Sequence, residues 1–184
     1  MKKTFYVILA VMLSVAGISL LAGCSKKEEP VVTVNEQSRE LLRQGVVYLK
    51  QGDPSKAAMS FAGAVKASPD YFEAYYMLAS LFIELKQYDQ ALAVLSTSAK
   101  RFPTNPVVYY LQAVAHQGAG NMMPSIVSAR KSLDFFQAKK DVEGEKRAKL
   151  LLGALVQLAK KSSEAKMLAD AEQDAASAGK IATP

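Results

Sequence analysis

An all-α helical solenoid closed by a C-terminal capping helix is the fold that this 184-residue sequence predicts. Three observations carry it. Residues of like kind recur 34 positions apart: Pro69 and Pro103, Ala57 and Ala91, Tyr48 and Phe82, Phe61 and Leu95. Helix-start signals fall where such a period needs them. Asp53-Pro54 and Asn105-Pro106 each set a capping residue before a Pro at the first helical position, and Asp70 with Glu73 has the spacing of a capping box. β structure is not predicted anywhere in the chain.

Composition limits the chemistry. The chain carries 23 Lys and Arg against 17 Asp and Glu, one His, one Cys and no Trp; 50% of it is hydrophobic and 22% charged. That is enough apolar material for a packed core, so wholesale disorder is excluded. A lone Cys excludes an intrachain disulfide. A zinc site needs roughly four N or S ligands, which one His and one Cys do not supply, and an Fe–S cluster would lack its thiolates. No metal site and no cofactor is expected.

The first segment reads as an address. Met1-Lys2-Lys3 is a short basic start, and the uncharged run Phe5 to Leu21 has the composition of a secretory signal. Leu21-Ala22-Gly23-Cys24 follows and resembles the bacterial lipobox. In that motif, small residues before the Cys admit the lipoprotein signal peptidase, and the thiol then carries diacylglycerol. The only cysteine stands at that place. Residues 1–23 are thus expected to be a lipoprotein signal peptide, and residues 24–35 the lipidated Cys with a polar tether that begins Ser25-Lys26-Lys27-Glu28-Glu29-Pro30. The alternative is an uncleaved anchor, since roughly 20 apolar residues span a bilayer. In bacterial lipoproteins an Asp after the lipidated Cys favours retention at the inner membrane. Here that residue is Ser25, so the resemblance implies the periplasmic face of the outer membrane in a double-membraned cell.

Residues 36–138 carry the repeat, with helices predicted near 36–51, 54–67, 71–86, 88–101, 106–119 and 123–138. Gly45, Tyr48, Ala57, Phe61, Ala64 and Pro69 stand in the order and spacing of small, aromatic, small, large, small and Pro residues, and this pattern resembles the tetratricopeptide repeat. A second unit keeps Tyr75, Leu78, Ala79, Phe82, Ala91 and Pro103, with Leu95 at the large place and Ser98 at the last small one. The third is degenerate: Tyr109, Ala113 and Ala129 fit, but His116 takes the aromatic place, Ser125 a small one, and Gln137 the closing Pro. Small residues let paired helices approach, and each unit buries what its neighbour exposes. Residues 139–162 are expected to cap the stack through Leu150, Leu151, Leu152, Leu155 and Leu158; the alternative is that this Leu-rich face is an exposed docking site. Residues 163–184 are expected to form a weakly ordered Ala-rich tail.

Catalysis has little to stand on. A Ser or Cys nucleophile generally needs a positioned base, and the only His, His116, falls at a packing position. Glu28, Glu29, Asp141, Glu143 and Glu145 lie in tether or loop contexts that are usually solvated. Gly118-Ala119-Gly120 reads as an interhelix loop rather than a phosphate cradle. The chain is expected not to be an enzyme.

The tetratricopeptide resemblance instead implies a concave groove, lined by the first helix of each unit, that accepts a peptide. It would be formed by Arg39, Leu42, Arg43, Val46, Leu49 and Lys50, then Glu73, Tyr76, Met77, Ser80, Ile83 and Glu84, then Val107, Tyr110, Leu111 and Val114. This surface is apolar, carries Tyr and Met suited to adaptable contact, and has a basic end. A family variant clamps a C-terminal carboxylate through Lys, Arg and Asn, but the matching places here are mostly Leu, Val and Met, so side-chain recognition is expected. A second basic region comprises Arg130, Lys131, Lys139, Lys140, Lys146, Arg147, Lys149, Lys160 and Lys161 against Asp134, Asp141, Glu143 and Glu145. It suits a solvated face, or contact with anionic lipid or an acidic partner. Stacking aromatics are missing from it, and with the envelope address this argues against nucleic acid.

The whole resembles the repeat lipoproteins, pilotin-like factors among them, that help to assemble pili, secretion channels or outer-membrane proteins. The resemblance implies a lipid-anchored adaptor that binds an envelope protein or peptide. A structural lipoprotein that self-associates through its Leu-rich helix is the alternative.

Overall fold

Four of the helices in this chain start directly after a side-chain acceptor. Asn35 accepts the Ser38 N–H at 2.7 Å, Asp53 the Lys56 N–H at 3.0 Å, Asn105 the Val107 N–H at 3.0 Å and Asp141 the Gly144 N–H at 2.9 Å. Each meets a backbone donor that the first helical turn leaves without a partner. The computed structural model describes residues 34–179. Among the described residues there are seven helices and no strand: α1 Glu36–Lys50, α2 Pro54–Ala67, α3 Phe72–Glu84, α4 Tyr88–Arg101, α5 Pro106–Gly118, α6 Met122–Ala138 and α7 Val142–Gly179. The signal segment, the lipobox with Cys24, most of the tether and residues 180–184 lie outside them.

Two expectations about helix starts need correction. The capping box at Asp70 and Glu73 does not form: α3 begins one residue later, with Tyr71 as its N-cap and no side-chain cap bond. Asp70 instead holds Arg101 at 3.2 Å, tying the loop after α2 to the end of α4. The tether also ends earlier than residue 35. Besides capping α1, Asn35 donates its Nδ2–H to Ala67 O at 2.8 Å and its backbone N–H to Ser68 Oγ at 3.2 Å. It belongs to the first helix pair.

The turn inside each pair repeats with the 34-residue period. Gly52, Lys86 and Gly120 all have positive φ, at 75°, 57° and 78°. The next residue's N–H then returns to the helix just ended, Asp53 to Tyr48 O at 2.9 Å, Gln87 to Phe82 O at 2.8 Å and Asn121 to His116 O at 2.8 Å. Such turns satisfy carbonyls that a helix end would leave open. Between pairs the chain uses a different connector, with Ser68-Pro69 and Phe102-Pro103 directly after α2 and α4.

After α6 that connector is replaced. With Gln137 in place of Pro, nothing removes a backbone donor or forbids helical backbone at residue 136. Thus α6 runs 17 residues where α2 and α4 have 14. It closes with the within-pair turn: Lys140 has φ 56°, and Asp141 N–H reaches Phe136 O at 3.0 Å. α7 then runs unbroken through Ser162-Ser163 to Gly179, so the boundary expected at 162/163 is not a break in the helix.

Successive helices pack on one another from α1 to α7, and α3 also touches α5. The core is a row of three apolar clusters. Ala57, Phe61, Leu78 and Leu81 make the first, Ala79, Ala91, Leu95, Val108 and Ala115 the second, and Ala113, Ala129, Leu133, Phe136, Ala148, Leu152 and Leu155 the third. The large position shrinks along the array from Phe61 to Leu95 to Ala129, and at the third place α7 supplies the missing volume through Leu152 and Leu155. The Leu-rich run divides accordingly. Leu155 is fully buried, whereas Leu150 is 68% exposed and Leu158 is exposed as well, because the 148–152–155 stripe is the one aimed at α5 and α6. Buried hydroxyls bind pairs together: Ser38 donates to Ala64 O at 3.0 Å, Ser125 to Ala113 O at 2.7 Å and Ser132 to Pro106 O at 2.9 Å.

At Gly45 the missing side chain makes room for the fully buried Phe61 ring. Gly45→Ala should cost about 1–3 kcal/mol in urea denaturation, and Phe61→Leu in the same chain should recover part of that loss. A full loss unchanged by Phe61→Leu would place the strain elsewhere.

Candidate peptide-binding groove

The first helices of the three pairs, α1, α3 and α5, present a mixed surface. Of the sixteen residues expected to line a groove, none is fully buried. Arg39, Arg43, Lys50, Glu73, Tyr76 and Glu84 are exposed; Leu42, Val46, Leu49, Met77, Ser80, Ile83, Val107, Tyr110, Leu111 and Val114 are half-buried. Several serve two sides. Leu42, Val46, Leu49 and Met77 pack on the first core cluster, Ile83 and Leu111 on the second, and Val107 on the third, each keeping part of its surface open. Seven of the sixteen are thus shared with the core.

The structure brings four of them together. Tyr76 from α3 and Val107, Tyr110 and Leu111 from α5 line a cavity of about 110 Å³, completed by Phe136 from α6 and Arg147 from α7. Phe136 and Arg147 are the two residues that sequence reasoning missed. Phe136 had a signal: it lies 34 positions after Phe102, whose ring packs edge-on against Phe72 and Tyr75 at 5.4 and 5.9 Å between centroids. Arg147 had none, because its place depends on how the chain turns after α6.

Charge is arranged otherwise than expected. The basic end at Arg39, Arg43 and Lys50 is largely neutralised within α1, where the Arg43 guanidinium sits 2.9 Å from Glu36 and 2.8 Å from Glu40, and Arg39 lies 3.8 Å from Glu36. The hydrogen bond from Arg43 holds the Glu40 carboxyl below the usual carboxylate range. These pairs are solvent-exposed and add little to stability. The C-terminal basic region is partly occupied too. Lys131 lies over the Tyr109 ring at 4.2 Å, and Lys149 pairs with Glu145 one turn back.

His116 is half-buried, its Nδ1 is shut off from solvent without a hydrogen-bond partner, and burial pushes its pKa down. Among the described residues no carboxylate orients it. Among the described residues no three His, Cys, Asp or Glu gather as metal ligands, and no helix is long and apolar enough to cross a membrane.

With this geometry in place, comparison with known proteins gives the class. The tetratricopeptide repeat family model matches residues 48–115, from the last turn of α1 through most of α5. Solved structures of similar shape include the TPR2B domain of yeast Sti1 in a pHsp70 complex. It is 14% identical, with 67% of this chain and 99% of that one covered and a TM-score of 0.62. A T3SS complex from Aeromonas hydrophila matches at 16% identity, 67% and 83% coverage and a TM-score of 0.61. PcrH from Pseudomonas aeruginosa matches at 18%, 76% and 99%, with a TM-score of 0.60. No curated protein sequence matches the chain. The fold is an all-α tetratricopeptide-repeat solenoid.

His116 yields a pH test. Its folded pKa lies below the unfolded value of about 6.5, so the unfolded chain takes up the proton first as pH falls, and stability drops below that value. His116→Phe, which restores the aromatic of the other units, should stabilise the protein more at pH 5 than at pH 8 in urea denaturation. An equal gain at both pH values would mean that the imidazole titrates normally.

Proposed function

We propose that this chain is a lipid-anchored adaptor of the bacterial cell envelope that binds a peptide segment of another envelope protein along α1, α3 and α5. The observation that carries the reading is the open cavity at Tyr76, Val107, Tyr110 and Leu111, where first-helix side chains of two units converge. Tyr suits such a site, since it offers a large face with few rotors to freeze and a hydroxyl at its rim. Tyr76 is 37% exposed, more than core packing requires. Solved structures of this shape include the Sti1 TPR2B domain in its pHsp70 complex and a T3SS complex. The role proposed is scaffolding without catalysis or cofactor, in the assembly of a pilus, a secretion channel or outer-membrane machinery, as pilotin-like factors provide.

The anchor rests on the sequence: Cys24 after Leu21-Ala22-Gly23, with Ser25 next, supports attachment at the periplasmic face of the outer membrane in a double-membraned cell. Self-association is the second reading, favoured by Leu150 and Val142, which are 68% and 72% exposed on α7.

Cys24→Ser should release the protein from the membrane fraction while the helical body keeps its circular dichroism; sedimentation with membranes unchanged would remove the lipid anchor from the proposal. Crosslinking and pull-down from the native envelope should recover one envelope protein that Tyr76→Ala/Tyr110→Ala loses, with stability changed by no more than about 1 kcal/mol. Recovery of this chain alone, undiminished in the double variant, would favour the self-associating scaffold.

A further inference from the structure

Arg147 is the cation at the cavity, and among the described residues no carboxylate holds it. Arg39, Arg43, Lys56, Arg101 and Lys149 all have acidic partners within 4 Å, whereas Arg147 makes neither an ion pair nor a hydrogen bond. Tyr76 and Tyr110 likewise keep their hydroxyls unbonded, unlike Tyr109, whose hydroxyl donates to Pro103 O at 2.7 Å. Three unused polar groups therefore stand around one apolar cavity.

The position of Arg147 is built by its neighbours. Gly144, one turn before it, lies so close to the Phe136 ring that any side chain at residue 144 would collide with it. Asp141 caps the same turn at the Gly144 N–H. The start of α7 is thereby pressed against the last turn of α6, and the guanidinium comes to the cavity wall formed by α3 and α5.

Resting on the adaptor reading above, we infer that this cavity is a specificity subsite for an extended peptide carrying an acidic side chain two positions from an aliphatic one, with Arg147 receiving the carboxylate. In an extended chain, residues two apart share one face. At about 110 Å³ the cavity is smaller than the ~150 Å³ that admits a benzene ring, so it suits Val, Ile or Leu rather than an aromatic. A guanidinium binds a carboxylate through two parallel N–H donors and is weakly hydrated, which favours it at an apolar wall. Tyr76 and Tyr110 can add hydroxyl donors to the same carboxylate. A single guanidinium matches one side-chain carboxylate. An adaptor reading its target here would select acidic-aliphatic segments and reject basic ones.

The test uses the full chain on an array of peptides bearing Leu-x-Glu, Leu-x-Gln or Leu-x-Lys, each made with an amidated and with a free C-terminus. The native protein should retain Leu-x-Glu about tenfold better than Leu-x-Gln. Arg147→Glu, an exposed substitution whose fold is checked by circular dichroism, should invert the preference toward Leu-x-Lys. Equal retention of Glu and Gln peptides, with binding still lost in Tyr76→Ala/Tyr110→Ala, would overturn the role of Arg147 and leave the groove standing. Binding only to peptides with a free C-terminus would assign the charge to the wrong carboxylate. No retention of any peptide would overturn the groove and the subsite together.

Discussion

Everything in this molecule depends on how closely two antiparallel helices can approach. At the buried positions 45, 79 and 113 the chain places Gly, Ala and Ala, and at 57, 91 and 125 it places Ala, Ala and Ser. With nothing larger there, the helices of the first and third pairs come near enough for a serine hydroxyl to reach across to a backbone carbonyl, and Phe61 fills the space beside Gly45. Close packing then leaves each pair one apolar face that it does not bury alone. The next pair must cover it, and the stack follows.

The candidate site is a by-product of that packing. Side chains such as Val107, Leu111 and Met77 anchor the core on one side and remain open on the other. Recognition and stability thus share residues, and a large change at these positions would disturb both. Tyr76 and Arg147 line the cavity, are exposed and belong to none of the core clusters. At these two, what is recognised can vary without unfolding the scaffold.

Much of the fold was legible because its signals are local. Asp53-Pro54 and Asn105-Pro106 mark helix starts through bonds that span two or three residues, and the 34-residue recurrence of small residues exposes the pairing. What stayed illegible depends on residues far apart in the chain. Asp70 meets Arg101, 31 positions on, instead of capping α3. The basic end of the groove looked charged because a linear reading counts Arg39 and Arg43 without seeing how they fork onto Glu36 and Glu40. Leu150 and Leu158 read as one face with Leu152 and Leu155, yet only the stripe that meets α5 and α6 is buried. Arg147 reached the cavity through a turn whose geometry no nearby residue announces.

That turn follows from a single connector. Where α2 and α4 give way to a Pro, α6 continues for three further residues and the chain reverses through the tighter bend at Lys140. The array therefore counts its own members at Gln137. Extending it by duplication would call for restoring a Pro at this junction as well as adding helices, so the length of the stack is inherited through one residue near the end of α6.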